Sequence, residues 1–468
     1  MERNALHQSP QQNRAKVHNE NAPKSTTELT GRRLIWYHIR MKSYKKRIFD
    51  RLLADALDAK GAVLIEGAKW CGKTTTAEQV ARSVVYVNEP KRLRQNLMMA
   101  QTNPERLLEG DSPRLIDEWQ IAPELWDAIR FDVDHSDEDG KYILTGSAVP
   151  LDEEAKKKIH HSGTGRFSWL RMRPMSLYES LESAGGVSFA DLFAGKRPTG
   201  AARPFTLEEM AYLTCRGGWP RATDKTGRAA LRQAFDYVDA VVRTDISRAD
   251  DVKRDPDAAL RIMASLARLQ GTQSNLSVIR ADLAPNGMRG AVHENTIASY
   301  IGALKKIFVI EDMPAWCPNL RCKTPIRTTD TRYYTDPSIA TAALGLGPDD
   351  LMNDLMSFGL FFETLVARDL RTYAEANDGR VSHYHDKSGL ECDAVMHLRN
   401  GKYGLIEVKL GGEKLIADGK ARLKMLADEI DTKRMKEPSF RMIVVATGDC
   451  AYQDTDGTLI CPVGSLMP

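Results

Sequence analysis

The residues with the clearest chemical meaning form the octapeptide Gly67-Ala68-Lys69-Trp70-Cys71-Gly72-Lys73-Thr74. It follows the apolar run 62–65 and precedes a polar stretch from Thr75 to Ser83, so it predicts a strand, a glycine-cornered loop and a helix. The N–H groups of such a loop converge on phosphate oxygens at the positive end of the helix. We therefore expect a nucleotide to bind at Gly67 to Thr75, with Lys73 reaching the β- and γ-phosphates and Thr74 ligating Mg²⁺.

Two adjacent acids downstream indicate hydrolysis of that nucleotide. Arg114-Leu115-Ile116-Asp117-Glu118 reads as an apolar strand that ends in carboxylates, followed by a helix-like stretch from Pro123 to Val133. Asp117 is expected to hold the magnesium through water, and Glu118 to polarise the attacking water. Acids at a strand end are often only a solvated terminus, but the preceding loop favours the functional interpretation.

A third apolar strand, from Tyr142 to Ser147, ends in small hydroxyl residues. Ligands sit at the carboxyl ends of parallel strands, so Thr145 or Ser147 is expected to sense the γ-phosphate or the water. This is similar to the sensor position of AAA-type ATPases. Arg166, in a glycine-rich turn, is the candidate for stabilising transition-state charge, in its own chain or in a neighbouring one. Two further arginines, Arg171 and Arg173, compete for that role, and a surface loop arginine is the alternative.

The carboxyl-terminal part contains a second set of acids. One predicted strand, Glu391 to Met396, contains Asp393, and its hairpin partner, Tyr403 to Lys409, contains Glu407 and Lys409 on one face. Carboxylates in such a cluster can bind magnesium while the lysine orients a water. The pattern resembles the PD-(D/E)xK motif of restriction-endonuclease-like nucleases. Glu363, in the helix predicted from Phe358, is the candidate for a further acid, and Asp393 and Glu407 are the candidate metal ligands. The alternative is cross-strand charge pairing.

The chain between these two sites is predicted to be helical. Three helical candidates, Pro256 to Leu269, Leu276 to Leu283 and His293 to Lys306, precede the apolar run 307–310. Three short helices and a strand pair fit a winged helix, whose third helix would present Asn295, Thr296 and Ser299 to a DNA groove. A helical module that only packs against the ATPase is the alternative.

The order of these motifs resembles a widespread group of prokaryotic AAA-type ATPases related to the archaeal ATPases. The residues that carry the resemblance are Gly67 to Thr74, 115–120, 144–147, 173–179, Gly217-Gly218-Trp219-Pro220, and the set Glu363, Asp393, Glu407 and Lys409. The resemblance covers roughly residues 43 to 468. It implies a P-loop domain, a winged-helix-like segment and a carboxyl-terminal restriction-endonuclease-like domain. One departure is His385, which stands before Asp386 where similar sequences are expected to have an arginine for phosphate contact.

Composition limits these interpretations. The 468 residues have room for two to four domains, and no apolar run approaches the length of a membrane span. The seven cysteines show no zinc spacing, which is typical of a reducing cytoplasm. Because the net charge is only +3, DNA affinity must be local. The best basic patch joins Lys305 and Lys306 to 321–332, and solvated loop charge is its alternative explanation.

We therefore predict an α/β fold in five segments. Residues 1–42 are a polar extension, 43–184 the P-loop AAA-type ATPase domain, 185–204 a linker, 205–330 the helical and winged-helix-like region, and 331–468 the α/β PD-(D/E)xK nuclease-like domain. The expected cofactors are ATP and Mg²⁺. The expected function is ATP hydrolysis coupled to action on nucleic acid, in the cytoplasm, with DNA and further copies of the chain as the partners to test. The alternative is an ATP-switched interaction module whose nuclease-like domain is inactive.

Overall fold

The computed structural model describes residues 44–146, 164–198, 200–284, 293–318 and 329–468. Contacts unite Lys45–Pro468 into one unit. The predicted extension 1–42, the candidate sensor Ser147 and the part of the basic patch from Arg321 to Arg327 lie outside the described residues.

The first sheet holds five parallel strands and carries the loop of the octapeptide. Its strands are β1 (Ala62–Glu66), β2 (Ser83–Tyr86), β3 (Arg114–Asp117), β4 (Tyr142–Gly146) and β5 (Phe167–Arg171), in the spatial order β2-β3-β4-β1-β5. Its helices are α1 (Ile48–Ala59), α2 (Lys73–Glu78), α3 (Leu93–Thr102), α4 (Glu105–Leu108) and α5 (Glu124–Asp134). All four neighbouring pairs are parallel, so the carboxyl ends of β1, β3 and β4 meet at one edge. The predicted parallel α/β sheet is confirmed.

The middle of the chain is helical, as predicted. Its helices are α6 (Phe189–Phe193), α7 (Leu207–Arg216), α8 (Pro220–Thr223), α9 (Gly227–Ala240), α10 (Ile246–Arg248), α11 (Pro256–Arg268), α12 (Leu276–Leu283), α13 (Glu294–Lys306), α14 (Pro337–Leu344) and α15 (Pro348–Asn353). A π-helical turn, Val241–Asp245, separates α9 from α10. Side-chain caps begin several of these helices: Asp255 accepts from the N–H groups of Asp257 and Ala258, and Asn275 accepts from that of Val278.

Two predicted boundaries do not coincide with breaks in the structure. The expected linker 185–204 contains β6 (Val187–Ser188), which pairs with β15 (Leu466–Met467), as well as α6. The described residues of this segment pack against the rest of the chain through apolar side chains, among them Phe189, that are buried in the core. The expected start of the last domain falls within a hairpin of β7 (Ile310–Met313) and β8 (Thr331–Tyr334).

The carboxyl-terminal part is a mixed sheet flanked by two long helices. Its strands are β9 (Gly379–His385), β10 (Glu391–Leu398), β11 (Tyr403–Lys409), β12 (Phe440–Val445), β13 (Tyr452–Gln453) and β14 (Leu459–Pro462), in the order β13-β14-β12-β11-β10-β9. The helices are α16 (Leu355–Glu375) and α17 (Glu413–Glu429). The pairs β9–β10 and β10–β11 are antiparallel, whereas β11–β12 and β12–β14 are parallel.

One hydrophobic core extends through all of these parts, from Phe49 in α1 to Leu466 in β15. Separate clusters cover the other face of the first sheet, around Trp126, and of the last sheet, around Tyr403. None of the helices in the described ranges combines the length and the apolar composition needed to cross a bilayer. Four of the five free thiols described are buried, and Cys317 is disulfide-bonded, so the expectation of reduced thiols does not extend to Cys317.

Candidate functional site

The octapeptide forms a tight loop between β1 and the first turn of α2. Gly72 has a φ of 107°, in the left-handed region, immediately before the helix begins at Lys73. The Lys73 ammonium donates to the carbonyl oxygens of Gly67 and Ala68, at 2.8 and 2.9 Å. Lys73 is 7% exposed, so the loop holds its amine close to its own backbone.

One helix and two strands meet beside this loop at the carboxylate of Asp117. Its Oδ1 accepts a hydrogen bond from Thr74 Oγ1 at 2.6 Å and another from Thr145 Oγ1 at 2.6 Å. Thr74 lies in the first turn of α2, Asp117 ends β3 and Thr145 lies near the end of β4. The order of the strands produces this meeting, because β4 lies between β1 and β3. A hydroxyl and a carboxylate side by side fit a magnesium ion, which binds through one or two carboxylates together with waters and phosphate oxygens.

Glu118 turns away from β3 through an unusual backbone conformation. Its φ of 57° is in the left-handed region, which a residue with a side chain rarely adopts. The Gln120 amide donates to the Glu118 carboxylate, and Trp119 between them is buried against Trp126, with ring centroids 5.0 Å apart. Such conformations cost about 1–3 kcal/mol and cluster at active sites. The two carboxylates therefore have different hydrogen-bond partners, although Asp117 and Glu118 are adjacent in the sequence.

The three candidate arginines occupy different places. Arg166 lies at the amino end of β5, where its carbonyl accepts from the Ala62 N–H and its guanidinium pairs with Asp134 at 2.5 Å. The five residues of β1 separate it from the loop by about 15 Å, so the structure does not bring Arg166 to the nucleotide edge of its own chain. Arg171 lies at the opposite end of β5, in register with Glu66.

Exposure distinguishes the two remaining arginines. The Arg171 side chain is 41% exposed. It lies 3.6 Å from Glu311 and over the Phe308 ring, with 5.1 Å between the guanidinium carbon and the ring centroid. Arg173 is 7% exposed and is held by Glu311 at 2.6 Å and by Glu375 at 2.9 Å. Arg171 is therefore exposed enough to reach a ligand. Arg173 is buried and held by two carboxylates, so it stabilises the fold.

Two residues of the octapeptide loop contact the helical middle region. The sequence did not indicate these contacts. Lys69 Nζ lies 2.5 Å from Asp245 Oδ1, in the π-helical turn. The Trp70 ring packs edge-on against Tyr237, with 5.6 Å between centroids. Single-turn π-helices often occur at functional sites, but a π-helix has no sequence signal that could have revealed this contact.

The acids and the lysine of the carboxyl-terminal part also meet. Lys409 Nζ lies 3.0 Å from Asp393 Oδ2 and 2.6 Å from Glu407 Oε2. The Val408 N–H donates to Asp393 Oδ2 at 2.7 Å, which fixes β10 against β11 at this point. Glu407 is fully buried, and within the described residues its Oε1 has no hydrogen-bond partner. An unpaired buried carboxylate oxygen beside a second carboxylate fits a bound cation.

Burial and mutual repulsion alter the protonation of these acids. Burial and the neighbouring Asp393 raise the pKa of Glu363 to about 8 and that of Glu407 to about 8. Burial opposes the charge of Lys409, yet Asp393 and Glu407 raise its pKa above the ordinary value. No group of three or more His, Cys, Asp or Glu side chains in the described ranges is arranged around a common metal position. Magnesium retains several waters and does not require such a group.

A cleft of about 560 Å³ opens onto Glu363 and Lys409. Its rim is apolar: Met356 is 88% exposed, and Leu355 and Leu415 are about half exposed. A second cleft of about 430 Å³ lies between α12 and the strands β9 and β10. His385, which replaces the expected arginine, lines this second cleft and lies 3.2 Å from Glu391.

The candidate nucleic-acid residues are less distinctive. Asn295, Thr296 and Ser299 are exposed on α13, and Ser299 accepts a hydrogen bond from Arg254. Within the basic patch, Lys305 pairs with Asp312 and Lys306 lies 3.6 Å from Asp250. Arg332 also pairs with Asp312, so the described part of the patch is largely neutralised.

Three family models match successive parts of the chain. An AAA domain matches residues 59–181, a domain of unknown function (DUF8612) matches 207–350, and a second domain of unknown function (DUF4143) matches 358–466. None of the three covers half of the chain. No curated protein matches it. The chain thus contains an AAA-type P-loop domain, which implies nucleotide binding.

Several solved structures are distantly similar. The Walker-type ATPase paby2304 of Pyrococcus abyssi is 15% identical, with a TM-score of 0.38, over 63% of this chain and 94% of that one. The ORC1 protein of Aeropyrum pernix, in complex with DNA, is 13% identical with a TM-score of 0.24, over 66% of this chain and 92% of that one. The ORC2 protein of the same organism is 13% identical with a TM-score of 0.28, over 66% and 93%.

Proposed function

We propose that this protein binds and hydrolyses ATP with Mg²⁺ at the loop Gly67 to Thr75. The observation that carries the proposal is the meeting of Thr74, Asp117 and Thr145 beside Lys73. Thr74 and Asp117 would hold the magnesium, which neutralises charge on the phosphates. Lys73 would leave the carbonyls of its own loop and donate to the β- and γ-phosphates. Glu118 would orient the attacking water and accept its proton.

The loop residues have distinct roles in this proposal. The backbone N–H groups of Lys69 to Thr75 would donate to phosphate oxygens at the amino end of α2. Thr145 would hold Asp117 in place and contact the γ-phosphate region. Arg171 is the arginine that this arrangement favours for stabilising transition-state charge in the same chain. Arg166 would contribute only to the site of a neighbouring copy.

Replacing the proposed base tests hydrolysis separately from binding. In Glu118→Gln the carboxylate that accepts the proton is lost, so ATP turnover should fall by about 10²-fold or more, whereas the ATP dissociation constant should change less than threefold. Phosphate release and calorimetry measure the two quantities. Glu105→Gln, which replaces an exposed acid on α4, is the matched control. Turnover that persists in Glu118→Gln would show that another group is the base.

For the carboxyl-terminal part we propose metal-dependent cleavage of nucleic acid. Support comes from the contact of Lys409 with both Asp393 and Glu407, and from the unpaired Glu407 Oε1. Asp393 and Glu407 would hold Mg²⁺, which stabilises charge on the scissile phosphate. Lys409 would orient the attacking water, and Glu363 would accept a hydrogen bond from a water in the same cleft. DNA would approach along α13 and the cleft.

A supercoiled plasmid with Mg²⁺ or Mn²⁺ tests this second activity. Wild-type protein should nick the plasmid and Lys409→Ala should not, because the water would no longer be held. Lys424→Ala, an exposed lysine of the same part of the chain, should nick like wild type, and thermal unfolding checks that both variants fold. Nicking that survives in Lys409→Ala would discredit this site. ATP binding without any nicking would favour an ATP-switched interaction module with an inactive nuclease-like domain.

A further inference from the structure

Glu363 is held by a residue that lies outside the carboxyl-terminal family match. Tyr333, on β8, donates a hydrogen bond from its hydroxyl to Glu363 Oε1 at 2.5 Å. Tyr333 is 2% exposed, so its side chain is largely shielded from solvent. Gly271 lies against the same carboxylate: a Cβ at that position would be 3.3 Å from Glu363 Oε1. The middle region therefore forms one wall of the nuclease-like site.

The ring of Tyr333 is itself held in place by a contact with Arg371 of α16. The guanidinium carbon of Arg371 lies 5.5 Å from the centroid of the Tyr333 ring. Arg371 Nη2 donates to the carbonyl oxygen of Glu311 at 3.0 Å. Glu311 is on β7, the hairpin partner of β8, and its register partner across the hairpin is Tyr333. Tyr333 is thus held through its backbone by the hairpin and through its ring by α16.

The same contacts continue to the nucleotide loop. The Glu311 carboxylate accepts two hydrogen bonds from Arg173, at 2.8 and 2.6 Å. The carbonyl of Arg173 accepts from Arg47 Nη2 at 2.8 Å, and Arg47 Nη1 donates to the carbonyl of Cys71 at 2.9 Å. Cys71 belongs to the loop. Buried polar groups with several partners are rigid, so Tyr333 is anchored to the ATPase part.

We propose that Tyr333 is a positioning residue of the nuclease-like site: it holds Glu363 in the orientation that the metal held by Asp393 and Glu407 requires. The inference rests on the proposed nuclease function. Tyr333 acts through Glu363, since its hydroxyl is bonded to that carboxylate. Partners that orient the groups around a metal typically change its affinity by 10–100-fold when they are removed.

The neighbouring tyrosine offers a matched control. Tyr334 is also 2% exposed, and its hydroxyl donates to the carbonyl of Met263 at 2.7 Å. Tyr333→Phe and Tyr334→Phe therefore each remove one buried hydroxyl and one hydrogen bond from the same strand. Only Tyr333→Phe releases Glu363.

Calorimetric titration with Mn²⁺ distinguishes these variants, with Asp393→Asn as the blank for binding elsewhere. Tyr333→Phe should weaken Mn²⁺ binding about 10-fold, and Tyr334→Phe should change it less than twofold, at similar melting temperatures. In a Glu363→Gln background, Tyr333→Phe should have no further effect on Mn²⁺ affinity. Equal effects of the two tyrosine variants, or additivity with Glu363→Gln, would overturn the inference.

The outcomes also separate this inference from the proposed function. If wild-type protein binds Mn²⁺ at this site but does not nick plasmid, the proposed cleavage fails, while the affinity comparison still decides the role of Tyr333. If wild-type protein gives the same Mn²⁺ titration as Asp393→Asn, the metal site is absent and the inference is overturned with it.

Discussion

Asp117 shows how single residues are placed in this protein. One oxygen of its carboxylate accepts hydrogen bonds from the hydroxyls of Thr74 and Thr145. The chain between these two threonines contains the strands β2 and β3. The next residue, Glu118, adopts a left-handed conformation that gives its carboxylate a separate partner, Gln120. Adjacent acids in the sequence thereby obtain separate environments, which suits the roles of metal ligand and base that we propose for them.

The position of the arginines leads to a prediction about turnover. Arg171→Ala removes the half-exposed guanidinium at the loop edge of β5, so ATP turnover should fall by on the order of 10³-fold. Arg166→Ala removes a guanidinium at the far edge, so turnover of dilute protein should be unchanged, and stability should change by less than about 1 kcal/mol. Phosphate release across a range of protein concentrations measures both variants. A loss of turnover in dilute Arg166→Ala would contradict this assignment.

Among the elements, α16 connects the two candidate sites. It carries Glu363 to the carboxyl-terminal cleft. About one and a half turns later, Arg368 contacts Asp336 at the start of α14, and Asp369 contacts the ATPase part. Arg368 pairs with Asp336 at 2.8 Å, and Asp369 accepts from the Leu177 N–H at 2.9 Å. Asp336 also accepts from the Gly218 N–H at 2.9 Å. The segments 173–179 and 217–220, conspicuous in the sequence, therefore form the surface on which α16 is seated.

Gly218 provides a test of that surface. A Cβ at Gly218 would lie 2.0 Å from the carbonyl oxygen of Met175, and the Met175 N–H donates to the Gly218 carbonyl at 2.6 Å. Because neither backbone can retreat, Gly218→Ala should lower the free energy of unfolding by about 3 kcal/mol. Gly302→Ala, in α13, has nothing within 4 Å of the added Cβ and should raise it by up to about 1 kcal/mol. Urea unfolding compares the two, and equal stabilities would refute the assigned close contact.

At the scale of the whole molecule, Glu311 joins three parts of the chain. It lies on β7 and contacts Arg171 at the end of β5, Arg173 from the segment after the first sheet and Arg371 from α16. Burial alone would raise the pKa of Glu311, but Arg173 and Arg371 lower it far below its ordinary value of 4.5. Since the folded protein binds fewer protons at this carboxyl than the unfolded chain does, its contribution to stability is present above pH 4.5 and is lost as the pH falls further.

Glu311→Gln should remove this contribution. At pH 7 the free energy of unfolding should fall by about 3 kcal/mol, because the buried guanidinium groups lose their shared partner. As the pH falls below 4.5, the free energy of unfolding of the variant should decrease less than that of wild type, since glutamine does not titrate. Urea unfolding at pH 7 and pH 4 measures both effects, with Glu105→Gln as the exposed control. A variant with the wild-type pH dependence would show that other carboxyls dominate it.

The sequence alone determined the local units: the strand, loop and helix around Gly67 to Thr75, the acidic strand end at Asp117, the helical middle and the hairpin of Asp393 with Glu407 and Lys409. Such units are predictable because periodicity, glycine positions and strand alternation act between near neighbours. Tertiary structure decided that Thr145 meets Asp117, that Arg171 instead of Arg166 faces the loop, and that Tyr333 holds Glu363. These contacts depend on the order of strands in a sheet and on packing between elements that are not neighbours along the chain, which no local pattern encodes.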